Sequence, residues 1–156
     1  MNKGRFITFE GTEGCGKSTQ IKLLAERLRV LGAEVGDPVV LADAVAPLQE
    51  HLRERAAAGV ALVLCSGGTG LGPRDVTPEA LAGLEARRVP GIGELFRSES
   101  SQHTPMAWLS RADAVLLDRT LVIALPGSPK AVAQGMDILA PILAHALDMA
   151  SGGGHG

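Results

Sequence analysis

Two apolar runs, each ending in a glycine-rich loop, constrain this chain more than any other feature. Residues 6–20 read FITFEGTEGCGKSTQ, and residues 64–80 read LCSGGTGLGPRDVTPEA. A short apolar run that turns through glycines into a helix is the strand–loop–helix unit of an α/β protein. Strands in such a setting are covered on both faces, and Val60–Ser66 accordingly reads as one continuous apolar run.

The same alternation extends along the chain. Strands are expected at Arg5–Glu10, Pro38–Ala42, Val60–Ser66, Ala114–Asp118 and Thr120–Pro126. Helices are expected at Lys17–Leu31, where Ile21, Leu24, Leu28 and Leu31 recur at helical spacing, and at Ala44–Ala58, Pro78–Arg87 and Lys130–Met149. Asp43 and Thr77 are predicted N-caps, Gly32 and Gly59 predicted stops, and Pro141 a predicted interruption of the last helix. Residues 90–110 read as short helical turns. The fold class is therefore α/β, three layers (α/β/α) around a mainly parallel sheet, with one domain over residues 1–150 and a disordered tail, SGGGHG, at 151–156. Ligands of such sheets bind beyond the carboxyl ends of the strands, where both glycine loops should open.

Composition narrows the partners. A chain of 156 residues with 46% hydrophobic content is long enough for one core. A formal net charge of -2 gives no reason to expect nucleic acid or an acidic membrane. No apolar run approaches a membrane span. Cys15 and Cys65 form no metal-ligand pair and fit a reduced, cytoplasmic protein. His51, His103 and His145 are scattered without metal spacing.

The first loop satisfies the P-loop pattern, Gly11-x-x-x-x-Gly16-Lys17-Ser18, with Gly14 inside it and Thr19 following. Glycines let backbone N–H groups surround phosphate oxygens, and the helix start adds a favourable dipole. Lys17 would reach terminal phosphates, and Ser18 would hold Mg²⁺. FITFEG, EGCGKSTQ and IKLLAERL together resemble thymidylate kinase over about the first thirty residues. The rest of that family's pattern does not follow: Asp118-Arg119 is succeeded by Thr120 rather than an aromatic residue, and the chain has no tyrosine. Phosphoryl transfer also needs acceptor positioning and charge stabilisation, for which no residue set is evident.

The second loop is richer in chemistry. Gly67, Gly68 and Gly70 permit close approach of the backbone to a phosphate, and Thr69 adds a hydroxyl. Asp75 lies just beyond, where a carboxylate beside phosphates calls for a cation such as Mg²⁺. Asp43 ends the neighbouring strand and can approach the same edge. Ser110, Arg111 and Lys130 can meet anionic groups, and Gly127 between Pro126 and Pro129 makes a rigid turn with Ser128. Arg111 can equally pair with a surface acid.

The ordered set Gly67–Gly70, Pro73-Arg74-Asp75-Val76-Thr77-Pro78-Glu79-Ala80, Pro90-Gly91, Thr104-Pro105, Leu109-Ser110-Arg111 and Leu125–Val132 resembles the molybdenum-cofactor biosynthesis family of MoaB/Mog type. The resemblance covers about Ala25–Met149. It implies a MoaB/Mog-like fold, and molybdopterin and ATP as ligands. It also implies adenylylation of molybdopterin with release of pyrophosphate, Mg²⁺ as cofactor, and a homo-oligomer, a trimer being favoured. By the same resemblance Asp43 and Asp75 are the catalytic aspartates and Glu79 a further metal ligand. Gly67–Gly70, Ser110 and Pro126–Pro129 are the nucleotide and pterin loops. That family's own opening, with its Ser-Asp-Arg loop, is replaced here by the thymidylate-kinase-like segment, so the chain reads as a splice joined inside the helix expected at 17–31. Three functions are thereby set against one another: molybdopterin adenylylation weakened by the exchanged opening, a P-loop phosphotransferase, and a catalytically inert chimera.

Overall fold

A computed structural model describes residues 5–10, 17–30 and 32–153, with side chains over 22–30 and 32–153. The elements are β1 (Arg5–Glu10), α1 (Lys17–Val30), β2 (Glu34–Val35), β3 (Val39–Val40), α2 (Val45–Ala57), β4 (Leu62–Ser66) and α3 (Thr77–Ala82). They continue with β5 (Arg87–Arg88), α4 (Pro90–Ser101), a 3-10 turn (Pro105–Leu109), β6 (Asp113–Leu117), β7 (Thr120–Leu125) and α5 (Pro129–Ala150). The strand order is β2-β1-β4-β7-β6-β5, with β3 also paired to β1. The pairings around β1 and between β4 and β7 are parallel; β5–β6 and β6–β7 are antiparallel. The sheet is thus mainly parallel with an antiparallel flank, and the three-layer expectation holds.

The layers follow from the two-residue period of the central strands. Leu62 and Leu64 of β4, with Leu121, Ile123 and Leu125 of β7, join Leu24, Leu28, Phe96, Met136 and Leu139 in one core. That face is covered by α1, α4 and α5. Val63, Cys65, Val122 and Ala124 point the other way, onto Leu48, Leu52 and Leu81 of α2 and α3. Every residue of β4 and β7 is buried, as their apolar runs require. Cys65 belongs to this packing, and burial pushes its thiol pKa well up. No described helix is long and apolar enough to cross a membrane.

Several expectations change in detail. Asp43 does not cap α2: the N-cap is Ala44, in extended conformation without a side-chain bond. A turn in which Ala44 N donates to Ala42 O at 2.8 Å starts the helix one residue later. Thr77 is not a cap either; it is the first residue of α3, and its hydroxyl donates to Gly67 O at 2.9 Å. The helix expected to run to Arg87 stops at Ala82, because Arg87 and Arg88 pair with Leu116 and Val115 as an edge strand. Residues 90–101 form one full helix, begun by Pro90, whose missing N–H is harmless in the first turn. Pro141 does not interrupt α5, which is anchored on both sides of it by buried Leu139 and Leu143. β2 has no counterpart in the sequence reading, and the strand expected at Pro38–Ala42 is reduced to Val39–Val40. Ser151–Gly153 close α5, with Ser151 Oγ donating to Asp148 O; the rest of the tail lies outside the described residues. So do Gly11, Gly14 and Gly16 of the P-loop string. Of Lys17, Ser18 and Thr19 only the helical backbone is described.

Gly93 fixes how α4 sits against the sheet. A Cβ there would collide with the carbonyl oxygen of Ala112, which is backbone and cannot swing away. Gly93→Ala is expected to lower unfolding free energy by about 1–3 kcal/mol. Urea denaturation checks it; unchanged stability would mean that this close approach does not position α4.

Candidate functional site

Register brings three loops to one edge of the sheet. Ser66 pairs with Leu125, so β4 and β7 end side by side. Gly67 N then donates to Leu125 O at 2.9 Å, carrying the pairing into the loops. β6 runs the opposite way, with Asp113 opposite Ala124, so Ser110–Ala112 enter at the same edge. The loop after β4 turns back at Gly67 (φ 101°) and Gly68 (φ 69°), a conformation that only glycine adopts freely. A side chain on Gly68 would also collide with Thr77 Oγ1. Thr77 holds this turn through its hydroxyl, and its N–H donates to Gly68 O at 3.1 Å.

Arg111 fastens the remainder of the loop. Its main-chain N–H donates to Thr69 O at 2.9 Å. Its side chain donates from Nε to Gly70 O at 2.9 Å and from Nη2 to Asp75 O at 2.7 Å. Nη1 pairs with Glu79 Oε1. The planar, forked guanidinium suits this bridging of acceptors. It is therefore the clasp of the glycine loop: the expected pairing with a surface acid is present, in Glu79, and the bonds to the loop carbonyls are added to it. The hydrogen bond from Arg111 holds the Glu79 carboxyl below its ordinary pKa. Glu79, expected as a metal ligand, is thus committed to Arg111 and is half exposed outside the main cavity.

The loops enclose a cavity of about 580 Å³. Gly68, Thr69, Gly70 and Asp75 line it, as do Ser110 and Pro126–Ser128 on the facing loops. Residues far apart along the chain are thereby united. Asp75 Oδ2 accepts from Gly72 N at 2.9 Å. Ser128 caps α5, accepting from Ala131 N at 3.1 Å, so the start of this long helix adjoins the cavity. Ser110 Oγ accepts from Ala112 N at 3.2 Å. Lys130 also lines the cavity.

Asp43 and Gly67 are placed elsewhere. They line a niche of about 10 Å³ behind the loop, with Ser66 and Thr77. Pro129 begins α5 and is not a lining residue. Among the described residues no group of three or more His, Cys, Asp or Glu side chains could hold a metal. The far wall was not anticipated: Phe96, Ser100 and Thr104 come from α4 and its exit, Met106, Ala107 and Leu109 from the 3-10 turn. The four-residue spacing of Ile92, Phe96 and Ser100 was the available signal for that helix.

Comparison with known proteins places this geometry among relatives. A family profile described as "Probable molybdopterin binding domain" matches residues 8–145. A molybdenum cofactor biosynthesis bifunctional protein of Synechococcus elongatus is 47% identical over 124 residues, covering 80% of this chain and 39% of that protein. A molybdopterin adenylyltransferase of Helicobacter pylori is 38% identical over 91 residues, 58% of this chain and 52% of that one. The chain thus spans about half the length, or less, of these curated relatives. The molybdopterin biosynthesis Mog protein of Mycobacterium ulcerans superposes with a TM-score of 0.84 at 33% identity, covering 95% of this chain and 99% of its own. The molybdopterin biosynthesis enzyme MoaB of Thermus thermophilus gives 0.81 at 37%, covering 96% and 97%. The matched stretches include the positions of the P-loop string from residue 8 onward.

Arg111→Ala is expected to weaken binding of an anionic ligand in the cavity by about tenfold or more, because the carbonyls of Gly70 and Asp75 lose their shared donor. Isothermal titration with Mg-ATP checks it. Unchanged affinity would show that the loop holds its shape without the clasp. The lowered Glu79 pKa adds a pH dependence with a definite sign. Its contribution is fully present above the unfolded glutamate value of about 4.3 and is lost as pH falls through the lower folded value. Glu79→Gln should therefore flatten the acid limb of the stability profile below about pH 4.3 while changing neutral stability by less than about 1 kcal/mol. Denaturation midpoints from pH 3 to pH 7 (roughly the window set by glutamate titration) provide the comparison.

Proposed function

The chain belongs to the molybdopterin-binding domain family of molybdenum cofactor biosynthesis, and from that premise we propose that it adenylylates molybdopterin with ATP. The terminal phosphate oxygen of molybdopterin attacks the α-phosphorus of ATP. The bond from that phosphorus to the bridging oxygen breaks, and pyrophosphate leaves with the electron pair. The observation that carries this reading is the cavity joining the glycine loop, Asp75, Ser110 and Pro126–Ser128. Such a reaction needs donors fixed around two phosphate groups at once, and loops from three strand ends supply them from opposite walls.

The residues take distinct tasks. Gly68 and Gly70 bring bare backbone to the cavity lining, with Thr77 and Asp75 packed into the side-chain space beside them. The start of α5 and Lys130 favour negative charge on the facing wall. Ser110 and Ser128 each already accept a main-chain hydrogen bond, which leaves their hydroxyl protons for ligand oxygens. Among the described residues Asp75 is the carboxylate in the cavity lining, and it would hold Mg²⁺. One or two carboxylates plus substrate phosphates suit that ion, so the absence of a larger acidic cluster among the described residues fits it. When bound, Mg²⁺ offsets charge building on the phosphate being transferred. Asp43, behind the loop next to Gly67 and Thr77, is better placed to position the glycine turn than to touch substrate. The family resemblance further suggests a homo-oligomer, a trimer being favoured, which sedimentation equilibrium would reveal.

The thymidylate-kinase-like opening supports a second reading through its string Gly11–Ser18 alone. Product analysis of Mg-ATP with molybdopterin separates the readings. Pyrophosphate with adenylylated pterin supports adenylyl transfer; ADP without pyrophosphate overturns it in favour of a live P-loop. Neither product indicates an inert chimera whose opening has cost it the reaction. Asp75→Ala is expected to slow pyrophosphate release by about 10- to 100-fold, whereas Lys17→Ala should leave it near the parent rate. The reverse pattern would assign the chemistry to the first loop.

A further inference from the structure

The cavity has a polar group that no described residue satisfies. Ser100 lines it, is 4% exposed, and its hydroxyl has no hydrogen-bond partner among the described residues. Buried hydroxyls without partners are uncommon, because each forfeits its hydrogen bonds to water. Ser100 sits in the last turn of α4, with Phe96 one turn before it in the lining, His103 and Thr104 after it, and then Met106, Ala107 and Leu109. Thr104 Oγ1 already accepts from Met106 N at 3.3 Å, so Ser100 brings the uncommitted hydroxyl to a wall that also holds flat and aliphatic side chains, a lining suited to a planar ring with a polar edge.

Helix polarity gives the cavity a direction. The N-terminal end of α5 carries the positive end of its dipole, and the C-terminal end of α4 the negative end of its own. Anionic groups are favoured at the first and N–H donors at the second. The two ends match a molecule that bears phosphate on one side and an amino-substituted ring on the other. We propose that Ser100 is the ring-reading residue of this cavity, taking the polar edge of a fused nitrogen heterocycle whose phosphate lies on the glycine loop. A hydroxyl can meet such an edge as acceptor from an amino group or as donor to a ring nitrogen. The inference rests on the adenylyl-transfer reading, and both substrates there, the pterin and the adenine nucleotide, have such a ring.

The test exploits the unsatisfied hydroxyl. Ser100→Ala removes a buried group that bonds to no described residue of the free protein, so the melting temperature should hold or rise. Its affinity for one ring-bearing ligand should fall about tenfold, equivalent to about 1.4 kcal/mol. Titration of parent and variant with molybdopterin, Mg-ATP and pyrophosphate, the last lacking a ring, distinguishes the sources. Loss confined to molybdopterin assigns the pterin, loss confined to Mg-ATP assigns adenine, and pyrophosphate affinity should not move. Ser100→Cys, a weaker donor of similar size, should fall between. Equal affinities of parent and Ser100→Ala for all three ligands overturn the proposal, as does a variant weakened equally toward pyrophosphate. A parent that binds ligands but forms no adenylylated pterin overturns the reaction and leaves the ring assignment standing on its own titrations.

Discussion

The pairing of β4 with β7 is the constraint on which the rest of the structure depends. Both strands are buried on both faces, and their alternate side chains feed two separate cores. A strand buried in this way cannot shift register by one residue without exchanging its entire set of core contacts. The parallel register therefore places the ends of β4 and β7 together, and Gly67 N extends the ladder onto Leu125 O. The loops that line the cavity hang from that junction.

Loops carried on so firm a base still need their own fastenings. The glycine loop gains conformational freedom from residues with positive φ and then loses it to Thr77 and Arg111. This division is physically sensible. Glycine gives the backbone access to a ligand, and the clasp removes the entropy that such a loop would otherwise surrender on binding. Arg111 is consequently more useful to the site as a tie between carbonyls than as a free cation. Glu79 shares in that tie rather than facing the cavity. Ser100 follows the opposite logic, a polar group in the cavity wall with no partner among the described residues.

Much of this could be read from the residues. The apolar run at Val60–Ser66, the glycine turn after it and the helical spacing after Asp43 have local causes, so their elements appear where expected. The errors come from partners farther along the chain. Thr77 and Asp43 carry ideal capping side chains, but whether a cap forms depends on competing partners, and for Thr77 the carbonyl of Gly67 wins. Arg87 and Arg88 look helical in isolation and become a strand because β6 offers them a ladder. Pro141 is tolerated because buried residues hold α5 on either side.

By itself the sequence determined the layer class, the glycine turn after β4 and the candidate status of Asp75, Ser110 and Pro126–Ser128. Those depend on residue type and near neighbours, which a linear pattern records. Only the tertiary structure decided which of these share a cavity, that Asp43 stands behind the loop, that Glu79 answers to Arg111, and that the Ser100 hydroxyl meets no described partner. Each is a relation between residues distant along the chain, set by strand register and helix packing rather than by any local signal.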